Sequence, residues 1–150
     1  MSAAGPNSAL NVLLVIDEPF LTRSIQKRLN GMGYAVDVAN DAMVALKMVH
    51  EKNYLLVIAD FNLNGMQGDE LLKNIKEYNG MTRVILIFDD ATLADLLGCF
   101  RLGVDDCFFK PLVNLEPLQT SIDETIKRLN KWQGLMEEIS KRKFRAPAGE

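Results

Sequence analysis

Cysteine and histidine are scarce in this chain of 150 residues, with 2 of the first and 1 of the second. Cys99 and Cys107 belong to no CxxC pair, so their spacing suggests neither a zinc site nor a redox couple, and both read as small buried hydrophobes. His50 has no Cys/His cluster around it and reads as a surface residue at a helix end. Long hydrophobic runs are missing as well. The longest, VLLVI at 12–16 and VILIF at 84–88, fall far short of the about 20 apolar residues that span a bilayer. Nor does one sign of charge dominate: 17 Lys and Arg stand against 20 Asp and Glu, a formal net charge of -3. That balance lacks the basic footprint of a dedicated nucleic-acid binder, although KRKFR at 141–145 is locally basic. The opening MSAAGPNSA has no basic stretch leading into an apolar core, as a secretory signal would. The expectation is a soluble cytoplasmic protein without membrane contact. Its length suits about one domain with a core that needs no disulfides.

What the chain does have is rhythm. Apolar runs alternate with segments of helical period, and β-branched or aromatic residues predict strands at 12–16, 35–39, 55–59, 84–88 and 107–109. Between them Leu21, Ile25 and Leu29 mark a first helix ending near Gly31 and Gly33. Ala42, Ala45, Leu46 and Val49 mark a second, Leu71, Leu72 and Ile75 a third after Gly68, and Leu93, Leu96, Leu97 and Phe100 a fourth. A fifth begins near Leu115 with Pro117 in its first turn, where a missing N–H costs little. Five βα units predict a doubly wound parallel sheet with helices on both faces. Met43, Met48 and Met136 read as packing residues.

The fifth helix carries Leu115, Leu118, Ile122, Thr125, Leu129, Trp132, Met136 and Ile139 at alternating spacings of three and four, a heptad seam. Its later part is too long to pack on so small a sheet. The chain therefore divides into a flexible segment at 1–9, a domain at 10–130 and a projecting coiled-coil-like helix with a frayed tail at 131–150. The seam suits a parallel homodimer, or a helix folded back on a domain. The basic residues Arg83, Lys141, Arg142, Lys143 and Arg145 read as solvated surface rather than as contacts for an acidic partner or nucleic acid.

The chemistry gathers at strand ends. In parallel α/β sheets ligands collect outside the carboxyl ends of the strands. Asp60 ends the run LLVIAD ahead of a turn rich in Asn and Gly, where an acid serves either as a turn cap or as a site. Asp17 and Glu18 follow the first strand, and Lys110 follows the fifth. Adjacent strands bring Asp17 and Asp60 to one rim, and a hard divalent cation relieves the repulsion of two close carboxylates. An acid pair, a Mg²⁺ ion and one lysine make a phosphate-handling set in which Asp60 attacks phosphorus and Lys110 offsets charge.

These residues give the chain a family likeness. Asp17-Glu18-Pro19, Asp60 with Gly65-Met66-Gln67-Gly68, and Gly103-Val104-Asp105-Asp106 leading to Lys110-Pro111 resemble the receiver domain of two-component response regulators over about residues 10–130. The resemblance implies a flavodoxin-like sheet of order 2-1-3-4-5, an arrangement the general rule for doubly wound folds also covers. It implies a phosphorelay in which Asp60 accepts a phosphoryl group from a histidine kinase or a histidine phosphotransfer protein. Asp17, Asp60 and the backbone carbonyl of Asn62 would hold Mg²⁺, with Glu18 as a further candidate. Lys110 would pair with Asp60 and then with the phosphoryl group, and the bond before Pro111 would be cis. An output domain or effector is the further partner implied.

Three positions depart from the family pattern. Ile16 stands where a first acid is usual, which removes one support for the metal. Phe88 ends the fourth strand where the family has Ser or Thr, and a phenyl ring donates no hydrogen bond to a phosphoryl oxygen. Cys107 replaces the Tyr or Phe whose ring moves with the switch. Asp89 and Asp90 add negative charge nearby. The likeness is thus to an atypical receiver, which is either phosphorylated with altered readout or a phosphorylation-independent dimerisation or docking module. Either way it is a signalling domain rather than an enzyme. An aspartate-nucleophile phosphatase or a nucleotide-binding protein has less support: Asn62 stands where one large phosphatase class has Asp, and there is no GxGxxG or GxxxxGK[ST] loop.

Overall fold

Residues 10–145 are described by a computed structural model, with side chains through 142. The predicted flexible segment at 1–9 and the last tail residues, 146–150, lie outside them. Strands and helices alternate as β1 (Asn11–Val15), α1 (Pro19–Gly31), β2 (Ala35–Val38), α2 (Ala42–Glu51), β3 (Leu56–Asp60), α3 (Gly68–Tyr78), β4 (Arg83–Phe88), α4 (Leu93–Arg101), β5 (Asp106–Phe109) and α5 (Glu116–Arg145). The five strands form one parallel sheet in the order β2-β1-β3-β4-β5. The predicted fold is the one observed, with strand limits that move by a residue or two.

The three central strands are continuous apolar runs because helices cover both of their faces. Every residue of β3 is buried, as are all but the first of β1 and of β4, whereas the edge strands β2 and β5 are only partly covered. Leu21, Ile25 and Leu29 bury the inner face of α1, and Leu71, Leu72 and Ile75 that of α3. Asp41 caps α2 by accepting the Val44 amide at 2.9 Å. Thr92 and Asp95 form a reciprocal capping box at the start of α4.

On α4 the apolar residues seen in the sequence do not form the buried face. Cys99 is the buried residue and Leu96 packs against the core from partial cover, while Leu93, Leu97 and Phe100 are 71%, 41% and 74% exposed. The helix turns Cys99 inward, so an apolar stripe wider than one face leaves three large side chains in solvent. Met43 and Met136 are exposed rather than packed, and Met48 alone of the three methionines lies against the core.

Two units divide between Leu115 and Glu116. The first holds the whole sheet and α1 to α4. The second is α5, 30 residues long, or about 45 Å at 1.5 Å per residue. Along it Leu118, Ile122, Thr125 and Leu129 are buried, and every described side chain from 130 to 142 is exposed. Trp132, Leu135, Met136 and Ile139 fall on one face of that exposed stretch at i, i+3, i+4 and i+7. No helix among the described residues is long and apolar enough to cross a membrane.

Candidate functional site

Strand register assembles the rim. Val15 pairs with Ala59 and Asp60 with Ile87, so the residues after β1 lie level with the end of β3. Phe88 pairs with Phe109, which places Lys110 just beyond the end of β4. The Lys110 amide donates to the Phe88 carbonyl at 2.9 Å and extends that ladder by one step. The Lys110–Pro111 bond is cis.

Asp60 is 2% exposed, and its two oxygens have different surroundings. Oδ2 accepts the Asp17 backbone N–H at 2.9 Å. Oδ1 lies 3.3 Å from the Lys110 ammonium as an ion pair, yet it is buried and has no aligned hydrogen-bond donor among the described residues. Burial pushes the Asp60 carboxyl above the usual carboxylate range. The Asp17 amide and the Lys110 ammonium pull it back, and the Asp17 carboxylate adds a smaller upward push. Asp60 is thus a largely buried acid that faces one cation on Oδ1 and one backbone donor on Oδ2.

The side chains of Asp17 and Glu18 are exposed at the same rim, while Ile16 is 3% exposed and adds only apolar surface. Lys110 also lines a cleft of about 710 Å³ with Glu18, Phe20, Asp89, Pro111 and Val113. Among the described residues no group of three or more His, Cys, Asp or Glu side chains is placed to hold a metal ion. The buried Asp60 Oδ1, which lacks an aligned donor among the described residues, and the exposed Asp17 carboxylate are hard oxygen donors of the kind Mg²⁺ accepts, since that ion needs only one or two carboxylates and keeps several waters.

The turn after β3 depends on a glycine. A Cβ on Gly68 would lie 2.6 Å from Phe61 Cα and 3.0 Å from the Asp60 carbonyl, while the Gly68 amide donates to the Phe61 carbonyl at 2.7 Å. Gly65 adopts φ 85°, open to glycine at little cost.

Asn62, for which the family likeness implies a backbone role, has a side-chain role that the sequence did not reveal. Its Oδ1 accepts the Asp89 and Asp90 amides, each at 3.3 Å, and its Nδ2 donates to the Asp90 carbonyl at 3.2 Å. The carboxamide thus ties the β3–α3 loop to the β4–α4 loop two residues ahead of the Thr92 cap. Asp89 and Asp90 are exposed, which solvates their charge. Phe88 is fully buried between Phe61, with ring centroids 4.8 Å apart, and Phe109 at 5.5 Å. Cys107 is half-buried and Cys99 buried, and both thiols are free.

Away from this rim, Arg83 is an internal ion pair rather than a free surface cation. Its Nη1 meets Asp105 Oδ1 at 3.0 Å, and Lys76 meets Asp105 Oδ2 at 3.1 Å. His50 is exposed at the end of α2, as expected, with its ring edge-on to Tyr78.

An open α/β sheet with an acid, a lysine and a glycine turn at its carboxyl edge defines a class of signalling domain, and the comparisons name it. Residues 12–123 match the response regulator receiver domain, and the chain belongs to that family. The sensor histidine kinase RcsC of Escherichia coli (strain K12) is 27% identical over 129 residues, which are 86% of this chain and 14% of that protein. The transcriptional regulatory protein ZraR of Klebsiella oxytoca is 31% identical over 117 residues, 78% of this chain and 26% of that protein. The chain therefore spans a minor part of these relatives. Among solved structures, the CheY-like response regulator receiver domain protein from Methanospirillum hungatei JF-1 is similar with a TM-score of 0.77 at 26% identity, covering 81% of this chain and 96% of that one.

Proposed function

We propose that this receiver domain is a phosphorelay acceptor in which Asp60 takes a phosphoryl group from a phosphohistidine of a histidine kinase or phosphotransfer protein. The observation that carries the reading is Asp60 Oδ1, buried, with no aligned hydrogen-bond donor among the described residues, and 3.3 Å from the Lys110 ammonium. That oxygen has a lone pair free to attack phosphorus. As the P–O bond forms, the P–N bond to the donor imidazole breaks and the imidazole leaves. The Asp17 amide holds Oδ2, which fixes the carboxylate plane, and Lys110 offsets the charge of the incoming group. Mg²⁺, when held by Asp17, Asp60 and the backbone carbonyl of Asn62 with Glu18 nearby, supplies further charge neutralisation. Phe20 and Val113, 70% and 89% exposed beside the Lys110 cleft, offer the donor protein an apolar surface. The domain works in the cytoplasm, is not itself a classical enzyme, and passes its signal to an effector or output domain. With Phe88 and Cys107 at the usual switch positions, that readout is atypical.

Intact-mass measurement after incubation with Mg²⁺ and acetyl phosphate should show one added phosphoryl group, absent in Asp60→Asn. No mass gain with that donor or with a histidine kinase would overturn the reading.

A second reading rests on the apolar face of Trp132, Leu135, Met136 and Ile139. It makes the chain a homodimer through the exposed part of α5, residues 130–142, paired as a coiled coil, with docking independent of phosphorylation. Light scattering should then give a dimer that persists in Asp60→Asn and becomes a monomer in Met136→Glu/Ile139→Glu. A monomeric wild-type chain at high concentration would overturn this second reading.

A further inference from the structure

The turn from β1 into α1 carries the group that orients Asp60, and it has few fastenings of its own. Its N-cap residue, Glu18, makes no side-chain capping bond, and Pro19 at the first helical position has no N–H to offer. Ile16 is apolar and buried, so no charge at that position ties the turn to the rim. What does reach back is Thr22, in the second turn of α1 and 8% exposed. Its Oγ1 lies 3.1 Å from the Ile16 carbonyl and 2.9 Å from the Glu18 carbonyl. The two contacts differ in meaning. A threonine inside a helix commonly bonds the carbonyl four residues back, which the Glu18 contact does. The Ile16 contact leaves the helix altogether and grips the carbonyl just past the end of β1. A hydroxyl has one proton, so the two carbonyls share it, and the residues they bracket are Ile16, Asp17 and Glu18.

The bracketed turn presents the Asp17 amide to Asp60 Oδ2 at 2.9 Å. That bond is charge-assisted and sets the rotation of the carboxylate, leaving Oδ1 toward Lys110. Small displacements of such a donor are costly where a reacting oxygen has to be aimed. We propose that Thr22 is a positioning residue for the Asp60 site, its hydroxyl holding the β1–α1 turn so that the Asp17 amide stays on Oδ2. The inference rests on Asp60 being the reactive carboxylate for its consequence in phosphoryl transfer, but the positioning itself is a property of the folded domain. Thr22 touches neither Asp60 nor a donor and is not a catalytic residue. No motif singles it out in the sequence, because a threonine on the buried face of an amphipathic helix reads as packing.

The test compares Thr22→Val, which keeps the shape and removes the hydroxyl, with Thr22→Ser, which keeps the hydroxyl. Hydrogen exchange of single amides by NMR reads the positioning directly. In Thr22→Val the Asp17 amide should exchange about tenfold faster, the scale of one lost hydrogen bond, while the amides of Leu14 and Ile58 stay as in wild type. In Thr22→Ser the Asp17 amide should remain protected. The rate of mass gain with acetyl phosphate should fall severalfold in Thr22→Val and recover in Thr22→Ser. Unchanged Asp17 exchange in Thr22→Val would overturn the proposal. So would faster exchange spread evenly over β1 and β3, because that pattern marks a loss of global stability alone. If wild type gains no phosphoryl mass, the acceptor reading falls by itself and the exchange measurement still decides the role of Thr22.

Discussion

The ring of Phe88 lies 5.5 Å from that of Phe109, centroid to centroid, with the planes inclined by 30°. Phe109 is 57% exposed, so the fully buried residue at the end of β4 is in stacking contact with the surface. On its other side Phe88 meets the ring of Phe61, the residue that follows Asp60. An aromatic row thus runs from beside the candidate acceptor to an exposed face, at a position where the family resemblance implies a small hydroxyl residue. Replacing Phe88 with Thr restores that hydroxyl but empties a fully buried ring site. The expected result is a loss of about 3 kcal/mol of unfolding free energy, the scale of large-to-small core substitutions. Urea denaturation measures it, and a loss under about 1 kcal/mol would show that the ring is not a packing element.

Asn62→Ala removes the carboxamide that bridges the two loops. The Asp89 and Asp90 amides lose their acceptor, and the segment leading to the Thr92 cap is freed. Hydrogen exchange at these two amides should rise severalfold, while global stability falls by about 1 kcal/mol or less, since the bonds are long and exposed. Exchange unchanged from wild type would mean that the loop holds its shape without Asn62.

The fold was legible because its signals are local. Continuous apolar runs mark β1, β3 and β4, and helical spacing marks the segments between them, so a parallel sheet and its handedness follow from general rules for α/β folds, while the strand order came from the family likeness. Asp17, Asp60 and Lys110 were legible because each sits at a strand end, and a parallel sheet brings strand ends together. Relations that depend on how two loops meet were not legible. Asn62 and Asp90 are 28 residues apart, and Arg83 and Asp105 are 22 apart, and nothing in the spacing of either pair announces a bond. The rotation of α4 likewise depends on how it packs on its neighbours, and three of its large apolar residues face solvent.

Cys107, which the family resemblance puts at the position of a moving ring, has its thiol held toward the inert, protonated form. Burial, with a smaller contribution from Asp106, pushes it from 9.0 up to about 11. Because the thiolate is the nucleophile, a rise of about two pH units leaves roughly a hundredth of the thiolate at pH 8 that an unperturbed thiol would have. Alkylation by iodoacetamide, followed by intact mass, should be correspondingly slow at pH 8 and accelerate as pH climbs toward 11. Buried Cys99, pushed up to about 12, should be slower still. Rapid modification of Cys107 at pH 8 would overturn this and mark it as a reactive group.

Asp105 anchors the opposite end of the sheet from the candidate site. It accepts the Val84 amide at 2.7 Å and pairs with both Lys76 and Arg83, and its side chain is 11% exposed. Asp105→Asn keeps the shape and removes the charge, leaving two largely covered cations facing a neutral amide. Breaking a buried pair from one side costs about 3 kcal/mol, so urea unfolding at pH 7 should show a loss of that size. The loss should also depend on pH. Burial already holds the Lys76 ammonium below its ordinary 10.5, and Asp105 opposes that shift. Without Asp105 the folded-state value drops further, so between that value and 10.5 the unfolded chain binds more protons than the folded one, and stability rises with pH. The deficit of Asp105→Asn relative to wild type should therefore shrink as pH climbs toward 10.5. A deficit constant across that window would show that Lys76 is not part of the cost.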